Sequence, residues 1–307
     1  MNILVTGGAG FIGSNIVDAY VSVGHHVVVL DDLSTGRRRN LNGKAVFVEM
    51  DVRSQELERL FHKHAIEFVN HQAARGDVRA SIDGPEEYAD VNIRGGVNLL
   101  ECCRKTGVKG VIYSSTGGCV YGDPLDVPTD EKHPIRPRDP YGASKACFEI
   151  YLDMYRQLYG LPFTIFRYPN VYGPRQNPLG EAGVVSIFTK KMLRDAEVVI
   201  NGTGTQERDF VFVDDIVRAN LLATEKSYDD AFNVGTGIGV DVNTIFVKLE
   251  KITGYGRPAV YGPPKAGEVQ RSILTREKVF KTCGWKPETD LDEGLARTVD
   301  YIKNHEA

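Results

Sequence analysis

The chain has 307 residues, 42% hydrophobic and 25% charged, with a formal net charge of −4. That is enough apolar material for a buried core without disulfide or metal staples, and it excludes a disordered chain. The mild acidity leaves no footprint for nucleic acid or an anionic membrane, and the apolar runs fall far short of a membrane span of about 20 residues. Glycines interrupt the N-terminus by position 7, so a signal peptide is not expected. The five cysteines form no CxxC pair and read as reduced thiols of a cytoplasmic protein.

In chain order, short β-branched runs at 2–5, 27–30, 45–48, 67–70, 110–113 and 163–167 predict buried strands. Amphipathic stretches at 12–22, 55–64, 91–105 and 141–159 predict the helices between them. This alternation predicts an α/β fold, a doubly wound parallel sheet with helices on both faces. Beyond about residue 168 the rhythm loosens into Gly- and Pro-rich loops at 172–183, 202–208 and 262–268. The expected division is therefore a first domain at 1–168 and a smaller α/β domain at 169–307. Elements around 208–235, including a helix at 214–224, are expected to pack back on the first domain.

Residues 3–14 read ILVTGGAGFIGS, a strand, a glycine loop and a helix start. Gly8-x-Gly10-x-x-Gly13 fits a dinucleotide fingerprint, and Gly7-x-x-Gly10-x-x-Gly13 fits its short-chain dehydrogenase variant. The chemistry needs a tight turn, close approach of backbone to pyrophosphate, and N–H groups at a helix N-terminus facing the anion. Asp31 closes the second strand, where an acid bonds the adenosine ribose and repels a 2′-phosphate, so NAD is expected over NADP. Arg37, Arg38 and Arg39 read as a solvated loop face, with a 2′-phosphate clamp as the competing reading. Asp51 and Val52 follow the third strand and would cover the adenine edge.

Tyr141-Gly-Ala-Ser-Lys145 places a phenol and an ammonium one helical turn apart on one face. A tyrosine base working near neutrality needs its pKa lowered by about 3 units, and a neighbouring Lys⁺ is expected to act in that direction. Ahead of this pair lies Tyr113-Ser-Ser-Thr-Gly-Gly-Cys-Val-Tyr-Gly122, whose hydroxyls fall at a strand end, the edge where such sheets bind ligands. Thr116 would relay a proton to Tyr141, and Ser114 would lie nearer the nicotinamide. His71 reads as a structural strand-end residue, Tyr121 and Tyr172 as walls of the cleft. No His, Cys, Asp or Glu set has metal-ligand spacing.

Together with FRYPNVYGPR at 166–175, RDFVFVDD at 208–215 and GWKP at 284–287, these motifs resemble the extended short-chain dehydrogenases, and among them the NAD-dependent epimerases of sugar nucleotides. The resemblance covers nearly the whole chain. It implies a Rossmann domain with tightly held NAD, a C-terminal domain for a UDP-sugar, and a homodimer. Carried over residue by residue, it implies cofactor contacts from Gly7, Gly10, Phe11, Ile12, Asp31, Asp32, Leu33, Ser34, Thr35, Gly36, Asp51, Val52, Gln72, Ala73, Ala74, Arg75, Asn92, Ser114, Ser115, Tyr141, Lys145 and Tyr168. It implies substrate contacts from Thr116, Tyr141, Asn170, Val185, Val199, Asn201, Gln206, Arg208, Lys265, Glu268 and Ser272. Lys265 stands where arginine is usual, which loosens a phosphate contact. Phe212 replaces a common histidine, and Asn201 a common aromatic residue.

The resemblance implies oxidation at C4 of a sugar, a first step that several reactions share. Dehydratases and decarboxylases of this kind follow the threonine with an acidic residue, whereas Gly117 and Gly118 stand here. The expectation is 4-epimerisation of a UDP-hexose (UDP-glucose/UDP-galactose, with the N-acetylated pair in reach) by Tyr141, Lys145 and Thr116. The competing readings are a UDP-glucuronate epimerase or decarboxylase, using Arg75 or Arg175 for the carboxylate, and an NAD-sensing regulatory protein.

Overall fold

The apolar N-terminal run forms β1 (Asn2–Thr6), and the glycine loop after it leads into α1 (Phe11–Ser22). The computed structural model describes residues 1–178, 183–265 and 269–305. Strands β2 (His26–Asp31) and β3 (Val46–Glu49) follow, then α2 (Leu57–His64), β4 (Phe68–His71), α3 (Val78–Asp83) and α4 (Pro85–Tyr88). Next come α5 (Gly95–Thr106), β5 (Val111–Thr116), α6 (Pro140–Tyr159) and β6 (Phe163–Tyr168). The six strands read from sequence all lie in one seven-stranded sheet, in the order β6-β5-β4-β1-β2-β3 with a further strand, Asp230–Asn233, beside β6. β1 pairs parallel with both β2 and β4, so the winding reverses at β1 and opens a crevice beyond its carboxyl end.

Leu4, Val28, Leu30, Val69, Val111 and Tyr113 alternate onto one sheet face and meet Leu57, Leu60, Phe61, Leu99, Leu100, Phe148 and Leu152 from α2, α5 and α6. Complete burial of each such side chain contributes about 1.5–3 kcal/mol. Helix α6 starts with a cap: Asp139 accepts the Gly142 N–H at 2.7 Å, and Pro140 occupies the first turn. This cap sets where Tyr141 leaves the helix.

Three local expectations need correction. β5 does not stop at Tyr113 but continues to Thr116, because Ser114 and Ser115 are buried strand residues. The helix expected at 91–105 opens as a π-helix, Ala89–Arg94, before α5. The strand Asp230–Asn233 carries too short an apolar run to announce itself, yet Phe232 is buried against Phe166.

The chain forms two compact units, the first comprising Met1–Gly122, Pro134–Arg167 and Val217–Phe232, the second the remaining segments. The second contains β7 (Asn170–Tyr172), α7 (Val184–Leu193), β8 (Val199–Asn201) and β9 (Glu207–Phe212). β9 is its central strand, paired parallel with β7 and with Arg271–Ser272, and antiparallel with Gly239–Asp241. The Trp285 indole donates to the Asp215 carbonyl at 2.8 Å, and the Asp215 carboxylate accepts from Glu288 N and Thr289 N. No helix among the described residues is long and apolar enough to cross a membrane.

Candidate active site

The glycine loop has the shape a pyrophosphate cradle requires. Gly7 has φ +67°, and a Cβ there would lie 2.7 Å from Ala73 N. A Cβ on Gly13 would lie 2.2 Å from the Gly7 carbonyl oxygen, so the helix can approach the loop this closely only as glycine. Helix α1 has no acidic residue in its first turn, and Gly10 offers no side-chain cap. The positive end of the helix, with Phe11 and Ile12, is thus left to an anion, and the residues fit a dinucleotide.

Asp31 is buried at the end of β2, its carboxylate accepting from Ala9 N at 2.9 Å and Leu33 N at 2.8 Å. Burial raises its pKa, with those two backbone bonds working against the rise. Gly36 closes over it, since a Cβ there would sit 2.6 Å from Asp31 Oδ1. Asp32 instead accepts from the Ser34 N–H and hydroxyl, which holds the turn toward Thr35. Arg38 pairs with Glu49 and lies over Phe47, so this member of the arginine run is engaged on the protein surface. Asp51 is held below the usual carboxylate range by hydrogen bonds from Arg53, beside the buried Val52.

On the other side of β1, Gln72 donates to Asn70 Oδ1 at 2.6 Å, and Ala73 N donates to Thr6 Oγ1, ahead of Ala74. Asn70 in turn donates to Tyr20 and Asn220, which belong to a fully buried polar network. Asn92, on the π-helix, accepts from Arg75 N and donates to the Arg75 carbonyl and to Ser144 Oγ. Its amide therefore ties the 72–75 loop to α6. His71 is buried, with Nδ1 2.7 Å from Thr6 Oγ1, and burial pushes its pKa down to about 3.

At the carboxyl end of β5, Tyr141 and Thr116 share a side-chain hydrogen bond. Lys145 is buried and donates from Nζ to the Ser114 carbonyl at 2.8 Å. Nζ lies 4.9 Å from the Tyr113 ring centroid and 6.0 Å from that of Tyr141. Desolvation pushes Tyr141 well above the ordinary phenol value, against the lowering effect of the Thr116 bond, while burial lowers Lys145 to about 7. Tyr141 as a whole is only half-buried; its hydroxyl end is the enclosed part. A Cβ on Gly118 would make only an ordinary contact with Thr116 Oγ1, at 3.7 Å.

Tyr121 and Tyr172 are packed into interiors rather than standing as open walls: each is 2% exposed. Tyr121 accepts from Arg167 at 2.9 Å, and Tyr172 donates to the Leu291 carbonyl. Tyr168, buried, ends β6.

In the second unit, Asn170 opens β7, and Arg208 lies on the adjoining β9 in register with Ser272. Ser272 is 9% exposed, which excludes an ordinary surface serine. Gln206 is buried and donates to the Asn201 carbonyl at 3.2 Å, closing the turn after β8, which Val199 begins. Val185 is buried on α7 and Lys265 is exposed. Glu268 lies outside the described residues.

Sequence reasoning missed a buried cluster behind the reacting residues. Glu149 on α6 accepts from the Ser115 hydroxyl and pairs with Arg167, which also reaches Tyr121. Two signals were present: Glu149 extends the Tyr141–Lys145 spacing by one more turn, and Arg167 is a charge inside the apolar strand FTIFRY.

A glycine-cradled helix N-terminus at the switch point of a parallel sheet, with Tyr-x-x-x-Lys one strand end away, defines a site of the short-chain dehydrogenase class. The chain belongs to the NAD dependent epimerase/dehydratase family, whose profile it matches over residues 3–235. It is similar to the UDP-glucose 4-epimerase of Mycolicibacterium smegmatis, at 42% identity covering 99% of both chains. Among solved structures it resembles the Thermotoga maritima UDP-glucose 4-epimerase with UDP-glucose, at 50% identity over 99% of both chains and a TM-score of 0.97. It also resembles the Thermus thermophilus UDP-glucose 4-epimerase in complex with NAD, at 41% identity over 99% of this chain and all of that one, TM-score 0.94.

Proposed function

We propose that this protein is an NAD-dependent isomerase that interconverts UDP-glucose and UDP-galactose by epimerisation at C4. Tyr141 takes the proton of the sugar's 4-hydroxyl, with Thr116 as the relay, and Lys145 holds the strand end through the Ser114 carbonyl. Bound NAD supplies the hydride acceptor, and its positive ring offsets the burial that keeps the phenol protonated. Gly7, Gly10, Phe11 and Ile12 would hold the pyrophosphate, and Asp31 the adenosine ribose. Asn170, Arg208 and Ser272, all in the second unit, are the residues the resemblance assigns to the UDP-sugar.

The observation that carries this reading is Tyr141 beside Thr116, with Gly117 and Gly118 directly after the threonine. A 4-keto sugar formed there meets no side-chain acid from Gly117 or Gly118 to drive elimination. Of the two arginines a uronate reading draws on, Arg75 has its Nε engaged by Glu87 at 2.8 Å. The reading includes a homodimer, resting on the family resemblance, and a cytoplasmic location, resting on the cysteines that read as reduced thiols.

A chromatographic assay of UDP-glucose, UDP-glucuronate, UDP-N-acetylglucosamine and their 4-epimers, with dTDP- and CDP-glucose as controls, tests it. Interconversion of UDP-glucose and UDP-galactose without added reductant is expected. Turnover of UDP-glucuronate alone would replace the proposed substrate.

A further inference from the structure

Behind the reacting groups, three elements meet on one buried ion pair. Glu149 comes from α6, two turns after Tyr141 and one after Lys145, and Arg167 comes from β6. Arg167 Nε lies 3.1 and 3.2 Å from the two Glu149 carboxylate oxygens, and its Nη2 lies 2.5 Å from one of them. Both side chains are 8% exposed. The remaining acceptor capacity of Glu149 takes the Ser115 hydroxyl at 2.5 Å, and Arg167 Nη1 donates to Tyr121. Ser115 stands between the two residues that touch the reacting groups: the Ser114 carbonyl receives Lys145, and Thr116 bonds Tyr141.

A hydrophobic pair of similar volume would hold these elements together at least as well, because burying two charges forfeits several kcal/mol of hydration each. Stability alone therefore does not account for it. We propose that Glu149, fixed by Arg167, is a positioning residue that locks the Ser114–Thr116 strand end to α6 through Ser115 and sets a negative charge one helical turn from Lys145. As a role in catalysis this rests on the epimerase reading.

The other groups facing Lys145 do not supply that charge. Tyr113 from β5 and Tyr141 from α6 are both held as neutral phenols by burial. His71 from β4 stays neutral at all but strongly acid pH. Glu149 is the one anion acting on Lys145 among the described residues, and it raises the ammonium's pKa against burial.

The test has one readout that needs neither cofactor nor turnover. Lys145 is the single buried lysine among the described residues, so its Nζ titration can be followed by ¹⁵N-lysine NMR in cofactor-free protein. Glu149→Gln is expected to move that midpoint down by about one pH unit. If this variant does not fold, Glu149→Gln/Arg167→Gln removes both charges and leaves none buried alone, and a downward shift is again expected, smaller because the Arg167 cation is lost with the anion. Ser115→Ala, which deletes only the link to the strand end, is expected to lower kcat about 10-fold with KM and NAD binding unchanged. An unmoved Lys145 midpoint, or a Ser115→Ala kcat within about twofold of wild type, overturns the proposal. A wild type inert on every UDP-sugar sinks the epimerase reading instead, and the NMR titration still decides whether Glu149 governs Lys145.

Discussion

The two sides of the first unit's site are made of different materials. The cradle beyond β1 is main chain: glycines, backbone N–H groups and one helix end, with Asp31 as its titratable group. The end of β5 is side chain: a phenol, an ammonium, a hydroxyl and an ion pair, all held in low-dielectric surroundings. A main-chain site fails through sterics, by all-or-none exclusion of a Cβ. A side-chain site fails through protonation, gradually and with pH.

The largest effect expected on the side-chain half is Tyr141→Phe. Removing the phenolic oxygen opens no cavity but deletes the proton acceptor, so turnover falls by about 10²–10⁴-fold or more. NAD content after denaturation, and the melting temperature, stay as in wild type. Retention of about a tenth of the activity would show that another group is the base.

On the main-chain half, Gly13→Ala puts a methyl 2.2 Å from a backbone oxygen, and neither side can swing away. The conflict costs about 1–3 kcal/mol, which weakens NAD binding by about 10-fold or more while the Lys145 titration is untouched. Normal cofactor content in this variant would erase the contrast between the two halves.

A smaller effect belongs to the second unit. Ser272→Tyr fills the position in register with Arg208, and the ratio of UDP-N-acetylgalactosamine to UDP-galactose turnover is expected to drop about 10-fold. An unchanged ratio removes Ser272 from the sugar pocket.

A further effect is on stability against pH. Lys145 titrates at about 7 when folded against 10.5 as a free side chain, so between these values the unfolded chain binds more protons. Stability of the cofactor-free protein therefore rises with pH across that window, by at most about 1.4 kcal/mol per unit from this group, and Lys145→Met removes the slope. His71, at about 3 against 6.5, gives the same sign at lower pH: stability falls as pH drops from 6.5 toward 3. Urea midpoints at constant ionic strength measure both.

The same contrast explains how much could be read from sequence. Glycine spacing encodes the cradle directly, because only a missing Cβ permits Gly7 and Gly13 where they stand. Six of the seven strands show as apolar runs, while Asp230–Asn233 has only Ala231 and Phe232 to mark it. Tyr141 and Lys145 are legible from helical spacing, but not the destination of the ammonium. Its partner is a carbonyl, Ser114, and carbonyls carry no sequence signal. Asn92 likewise reads as a cofactor contact, yet its amide is taken up by the Arg75 backbone and Ser144, a pairing set by the π-turn.

The cap at Asp139 has a thermal consequence. Tyr141 belongs to the first turn of a 20-residue helix, and helix ends are where native proteins open first on warming. The Asp139 carboxylate bond to Gly142, worth about 0.5–2 kcal/mol, is one of the contacts that hold that turn closed. Fraying there unseats the phenol while the sheet behind it stays intact. Inactivation on heating should then precede melting by several degrees, with fast amide exchange at Gly142 as its first sign. The working temperature ceiling would be set at one helix end, not by the stability of the whole.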